Sequence, residues 1–137
     1  MEVPEGNVET VRRFFEAVRR RDYDTVAAVM DPDAEWQNTA SFPGPRVVHG
    51  ASAIAHFLED MFASYGGSGG SRMEIEKVTE GDDVVVTLAR GTWRSGGGVP
   101  LETRWGQIFE LREGRIVRVE VHGDHARALR IAGLSDR

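Results

Sequence analysis

The chain has 137 residues, 40% of them hydrophobic and 28% charged, with a formal net charge of −5 and no cysteine. That length suits one domain, residues 1–137, able to bury about two-thirds of its unfolded surface around a single core. The composition excludes disulfides, thiolate metal sites and a cysteine nucleophile; no apolar run approaches the roughly 20 residues of a membrane span, and the acidic balance argues against a nucleic-acid partner.

The first residues, Met1-Glu-Val-Pro-Glu5, have neither the basic nor the apolar stretch of a secretion signal, so the chain reads as cytoplasmic. After an Asn7 cap, Val8, Val11, Phe14, Phe15 and Val18 recur at helical spacing and predict a first helix. Arg12, Arg13 and Arg19 to Arg21 come nearest to a basic face, but they sit among acids and read as solvated surface. Arg21-Asp22 breaks the stripe, and Tyr23, Val26, Ala27 and Met30 predict a second short helix ending at Asp31-Pro32. Ala34-Glu35-Trp36 reads as a short strand. A loop bearing Pro and Gly, Phe42 to Gly50, follows, in which Val47 and Val48 could pair briefly. From Ser52 the positions Ile54, Phe57, Leu58, Met61, Phe62 and Tyr65 form one broad apolar helical face.

Gly66 to Ser71 is a flexible spacer rather than a domain boundary, because neither half alone has enough apolar residues for a core. Four strand-like runs follow, at Met73 to Thr79, Val84 to Arg94, Leu101 to Leu111 and Arg115 to His122. Turn signals separate them at Gly81-Asp82, Gly96 to Gly98 and Glu113-Gly114, so antiparallel hairpins are expected. A last helix, Asp124 to Ala132, is capped by Asp124 and stopped by Gly133.

Four phrases carry a resemblance. They are Met30-Asp-Pro-Asp-Ala-Glu-Trp36, His49-Gly-Ala-Ser-Ala-Ile54, Arg112 to Val121, and Gly123-Asp-His-Ala-Arg-Ala-Leu-Arg-Ile-Ala-Gly-Leu134. In spacing and order they resemble the SnoaL-like branch of the NTF2-like superfamily over nearly the whole chain. The resemblance implies an α+β cone in which three N-terminal helices pack on a curved antiparallel sheet, with a short C-terminal helix. It also implies a small apolar molecule as partner. A homodimer through the outer sheet face is implied too, for which Arg90, Thr92, Arg104, Ile108 and Glu110 would suit. Polyketide cyclases, ketosteroid isomerases, epoxide hydrolases and members without an assigned reaction share the scaffold, so fold alone does not fix function.

Alternation along the strands gives the cavity lining. Trp105, Gln107, Phe109 and Leu111 share one face of the third long strand, and Arg104, Ile108 and Glu110 the other. Val117, Val119 and Val121 face inward on the last strand, with Arg118, Glu120 and His122 outward. Phe14, Phe15, Phe57 and Met61 from the helices, with Trp36, complete a ligand-binding surface that is mostly hydrophobic, as small-molecule cavities are. Each of these rings could equally be plain core.

The resemblance places Phe14, Gln107 and Asn38 where a ketosteroid isomerase carries its tyrosine, aspartic acid and basic aspartate. None of the three ionises, so isomerase chemistry by that route is excluded, while both amides can still bind a carbonyl or hydroxyl. Asn38, Gln107, His122 and Asp124 are the candidate polar site residues; the last two, at i, i+2 spacing, could form a His–Asp pair or be an edge residue and a helix cap. His49 and Glu35 are secondary candidates, with Trp36 inward and Glu35 outward. His56 with Glu59 or Asp60 has chelating spacing but lies opposite the apolar stripe, so no metal is expected. No GxSxG, P-loop or GxGxxG phrase calls for a cofactor, and no basic amphipathic helix points to a membrane. Two functions stay open, an enzyme using cavity acid–base chemistry and a non-catalytic ligand-binding or dimerisation module.

Overall fold

The computed structural model describes residues 6–39, 46–65, 72–94 and 100–134. The first five residues, the loop portion Phe42 to Pro45, the spacer Gly66 to Ser71, the glycine run Gly96 to Gly98 and the side chain of Tyr65 lie outside the described residues.

Helix α1 spans Asn7–Arg19 and buries Val11, Phe14, Phe15 and Val18 together with Thr10 and Ala17, the stripe its spacing predicts. Its cap is Gly6 without a side-chain bond, so Asn7 is the first helical residue rather than the cap. Thr10 Oγ1 donates to the Gly114 carbonyl at 3.3 Å, tying the start of α1 to the far end of the sheet. Helix α2, Tyr23–Ala28, is capped by Asp22, whose carboxylate accepts from Thr25 N at 3.2 Å and from Thr25 Oγ1 at 2.6 Å.

Met30 is not helical as its spacing suggested. It opens strand β1, Met30–Asn38, and lies beside Ile116 of the last strand, while Ile116 N donates to the Val29 carbonyl. Pro32 is accommodated because the pairing of β1 is interrupted between Met30 and Glu35. Strand β2, Val47–His49, pairs with the end of β1, and helix α3, Ala51–Tyr65, follows Gly50, whose φ of +99° favours glycine. α3 buries Ile54, Leu58 and Phe62 and leaves Phe57 and Met61 half-buried against the core.

Strands β3 (Arg72–Gly81), β4 (Val84–Arg94), β5 (Pro100–Arg112) and β6 (Arg115–His122) complete a six-stranded sheet in the order β2-β1-β6-β5-β4-β3. The long hairpins are antiparallel as expected, but β1 runs parallel to β6, so the sheet is mixed. Its concave face packs on α1, α2 and α3 in one core cluster. Helix α4, His125–Ala132, lies on the convex face, where Ala128 and Leu129 cover Val86 and Ile108. Gly106 is required there, since a Cβ would stand 2.8 Å from His125 Cα. Ile108 is therefore buried under α4 and is withdrawn from the outer face on which a dimer contact was expected, while Arg90 and Arg104 are bonded to Glu74 and Glu76.

A bulge corrects the reading of β6. The register shifts between Glu110 and Leu111, which face Arg118 and Ile116, so Val117 is the extra residue. Ile116, Val119 and Val121 are buried, and Val117 is only half-buried.

Candidate functional site

Pairing across the sheet aligns the concave face in transverse rows. In one row Trp36 lies beside Val119, Val119 beside Phe109, and Phe109 beside Val85. Onto it the helices press rings: Phe14 is 5.5 Å from Phe109 and 6.1 Å from Trp36, Phe15 is 5.7 Å from Phe109, and Phe57 is 6.3 Å from Trp36. Phe14 and Phe109 are wholly buried. This layer is filled core, so Phe14, Phe15, Trp36, Phe109 and Val119 form a floor of packed rings and methyls.

The next row is different in kind. Asn38 lies beside Val121, Val121 beside Gln107, and Gln107 beside Thr87. All three polar side chains are buried, with Thr87 at 0% exposure, Gln107 at 2% and Asn38 at 9%. Asn38 Oδ1, Gln107 Oε1 and Thr87 Oγ1 nevertheless have no hydrogen-bond partner. A buried oxygen in that condition costs about 1–3 kcal/mol, and native structures retain few of them. Strand spacing sets Thr87 about 5 Å from Gln107, and Asn38 about 10 Å from it on the other side. On the strands this row is flanked by the ring floor and, on the other side, by Trp105 and Ala89, both buried. On β1, β4, β5 and β6 the described residues of these rows include no carboxylate, amine or imidazole on the concave face. Amides and a hydroxyl bind by donating and accepting, and they do not exchange protons with carbon at neutral pH.

Thr87 was not singled out in the sequence. The signal was present: in Val84-Val-Val-Thr-Leu-Ala89 it is the one polar residue, and alternation with Val85 and Ala89 sends it inward.

The remaining polar candidates stand elsewhere. Asp124 Oδ1 accepts from Ala126 N at 2.9 Å and from Arg127 N at 3.4 Å, which is a helix cap and not a partner for His122. His122 points to the convex side, as does its neighbour Gly106 on β5. There His122 Nε2 is 3.3 Å from Glu120 Oε1. Thr39 Oγ1 gives its proton to the Val121 carbonyl at 2.6 Å, so the contact of 2.8 Å with His122 is donated by Nδ1 of the ring. Glu35 accepts from Gln37 Nε2 at 2.7 Å, and Arg118 Nη2 donates to Gln37 Oε1 at 2.9 Å, so Glu35 joins this outer network while Trp36 faces the core. His49 is exposed on β2. His56 lies in solvent, 3.8 Å from Glu59 and 3.6 Å from Asp60. Among the described residues no cluster of His, Asp and Glu could hold a metal ion, and no helix is long and apolar enough to cross a membrane.

Residues 11–119 match the model of the SnoaL-like domain. No curated protein matches the sequence significantly. Among solved structures, one similar fold is an NTF2-like protein of unknown function from Burkholderia pseudomallei K96243, 24% identical, covering 90% of this chain and 95% of that one with a TM-score of 0.72. A second is TerC co-crystallised with polyporic acid, 22% identical over 93% of this chain and 96% of that one, TM-score 0.74. A third is an LEH-like epoxide hydrolase of M. tuberculosis, 22% identical over 86% and 82%, TM-score 0.67. At these identities the likeness establishes the fold.

Proposed function

We propose a function from one premise, that this chain belongs to the SnoaL-like domain family. Its cone binds a small, largely apolar organic molecule that carries hydroxyl groups, held over the ring floor by Asn38, Gln107 and Thr87. The observation that carries this reading is the row of three buried oxygens without partners. Each accepts from a ligand hydroxyl, and the Thr87 hydroxyl and the amide nitrogens can answer a ligand carbonyl. The absence of an ionisable group from the described part of this row supports binding and polarisation over proton transfer. Similar folds co-crystallised with polyporic acid, or described as an epoxide hydrolase, support an organic ligand of this size class.

Calorimetric titration with 2-naphthol and with naphthalene tests it, because the two differ by one hydroxyl. One net hydrogen bond of about 0.5–1.5 kcal/mol predicts that 2-naphthol binds roughly two- to tenfold tighter. The Gln107→Leu, Thr87→Val double variant should lose that preference while still binding naphthalene. Equal affinity of the wild-type protein for the two compounds would contradict the reading.

A further inference from the structure

Resting on the function proposed above, we infer that the ligand of the polar row is an elongated diol: two hydroxyl groups about 10 Å apart on an apolar frame, one held jointly by Gln107 and Thr87 and the other by Asn38. The unmet atoms are Asn38 Oδ1, Gln107 Oε1 and Thr87 Oγ1, and no amide nitrogen of the row is among them. Two of the three are carbonyl oxygens, which only accept, so what they lack is a donor. A ligand carbonyl cannot supply one. A charged amine would meet no carboxylate among the described residues of the row, and burying it unpaired is costly, so the donor is a hydroxyl.

The register sorts the three oxygens into two places. Gln107 and Thr87 sit on neighbouring strands, about 5 Å apart. One hydroxyl seated between them donates to Gln107 Oε1 and accepts from Thr87 Oγ1, so a single group satisfies both. Asn38 stands two strands from Gln107, about 10 Å away, and two hydrogen bonds of about 3 Å from one oxygen do not span that gap. Val121 fills the interval, 4% exposed and without a polar side-chain atom. Asn38 therefore takes a second hydroxyl, and the stretch of ligand between the two lies beside valine methyls and is apolar. Water is the competing occupant of the Asn38 end, because one molecule there satisfies Oδ1 without the ligand.

The test is calorimetric titration of the full chain with 4-phenylphenol, 4,4′-dihydroxybiphenyl and 3,4-dihydroxybiphenyl, which share one two-ring frame. The hydroxyls of the 4,4′ compound are separated by roughly 10 Å, the two strand spacings that part Asn38 from Gln107, and those of the 3,4 isomer are adjacent. Beyond the roughly twofold statistical gain of a symmetric ligand, the 4,4′ compound should bind about two- to tenfold tighter than either of the others, as one more hydrogen bond requires. Asn38→Leu should erase that further difference. The inference is overturned if the 4,4′ compound gains nothing over 4-phenylphenol, the result that water at Asn38 gives, if the 3,4 isomer matches it, or if Asn38→Leu keeps the advantage. Should that variant not fold, the comparison of isomers on the wild-type protein still decides. 2-Naphthol separates the two levels. If it outbinds naphthalene while the 4,4′ compound gains nothing, the diol falls and the proposed function stands; if it does not, both fall.

Discussion

Replacing Gln107 by leucine should make the protein more stable. The side chain is 2% exposed and its Oε1 has no partner, so folding strips that oxygen of water without replacing the lost bond. That deficit is worth about 1–3 kcal/mol, against which a leucine of similar bulk in the same place sets a packing mismatch of under about 1.5 kcal/mol. The balance is a gain of roughly 1 kcal/mol, or about 3–5 °C in Tm for a chain of this length. Urea unfolding followed by tryptophan fluorescence gives the number directly, because Trp36 and Trp105 are buried beside the row and report its exposure. A midpoint that rises at constant slope is the expected result. A loss of more than about 1 kcal/mol would mean that the amide makes native hydrogen bonds after all, and the argument that the row awaits a ligand would fail. The same variant should weaken the preference for 2-naphthol, which the double variant with Thr87→Val loses, so stability and recognition move in opposite directions at one residue.

Three further outcomes follow from other parts of the fold. Asp124→Ala removes the cap of α4 and should destabilise by about 0.5–2 kcal/mol while leaving 2-naphthol affinity unchanged, which thermal unfolding and calorimetry check together. Gly106→Ala puts a methyl 2.8 Å from His125 Cα and 3.1 Å from Ala128 Cβ, so α4 must shift; a loss of about 1–3 kcal/mol is expected in urea unfolding. His125 is held below its ordinary pKa by burial and then by the charge of Lys77, with Asp124 opposing. The unfolded chain therefore takes up this proton first, and stability falls as pH drops below about 6.5. His125→Asn should flatten that part of a stability profile measured between pH 7.5 and 5.5, and an unchanged slope would contradict the assignment.

Much of the scaffold was legible because its signals are periodic. Val11, Phe14, Phe15 and Val18 repeat at helical spacing, the long strands alternate, and Asp124 and Gly133 bracket a helix with side-chain cap and left-handed stop, φ +75°. What failed were features decided by neighbours far along the chain. Met30 fits the stripe of α2, yet pairing beside Ile116 claims it for β1. Val117 obeys alternation until the bulge opposite Glu110 and Leu111 displaces it. His122 and Asp124 are close in sequence, but the strand turns one outward and the helix takes the other as its cap.

The polar row was half legible. Asn38 and Gln107 came from a resemblance, and the structure sets them on one face with Val121 between. Thr87 escaped because a threonine in a strand is ordinary; only its pairing with Gln107 gives it meaning. The ring floor was read as ligand lining because aromatic spacing is the same whether a cavity is open or filled. The complete burial of Phe14 and Phe109, both at 0% exposure, distinguishes the two.

The central claim, that the row of Asn38, Gln107 and Thr87 receives a ligand hydroxyl above a closed aromatic floor, is tested most directly by a crystal structure with 2-naphthol. The naphthol oxygen should lie within about 2.5–3.2 Å of at least one of the three side chains, with its rings beside Val121. A complex with the hydroxyl turned to solvent, or an empty row whose oxygens are bonded to neighbouring side chains, would contradict it.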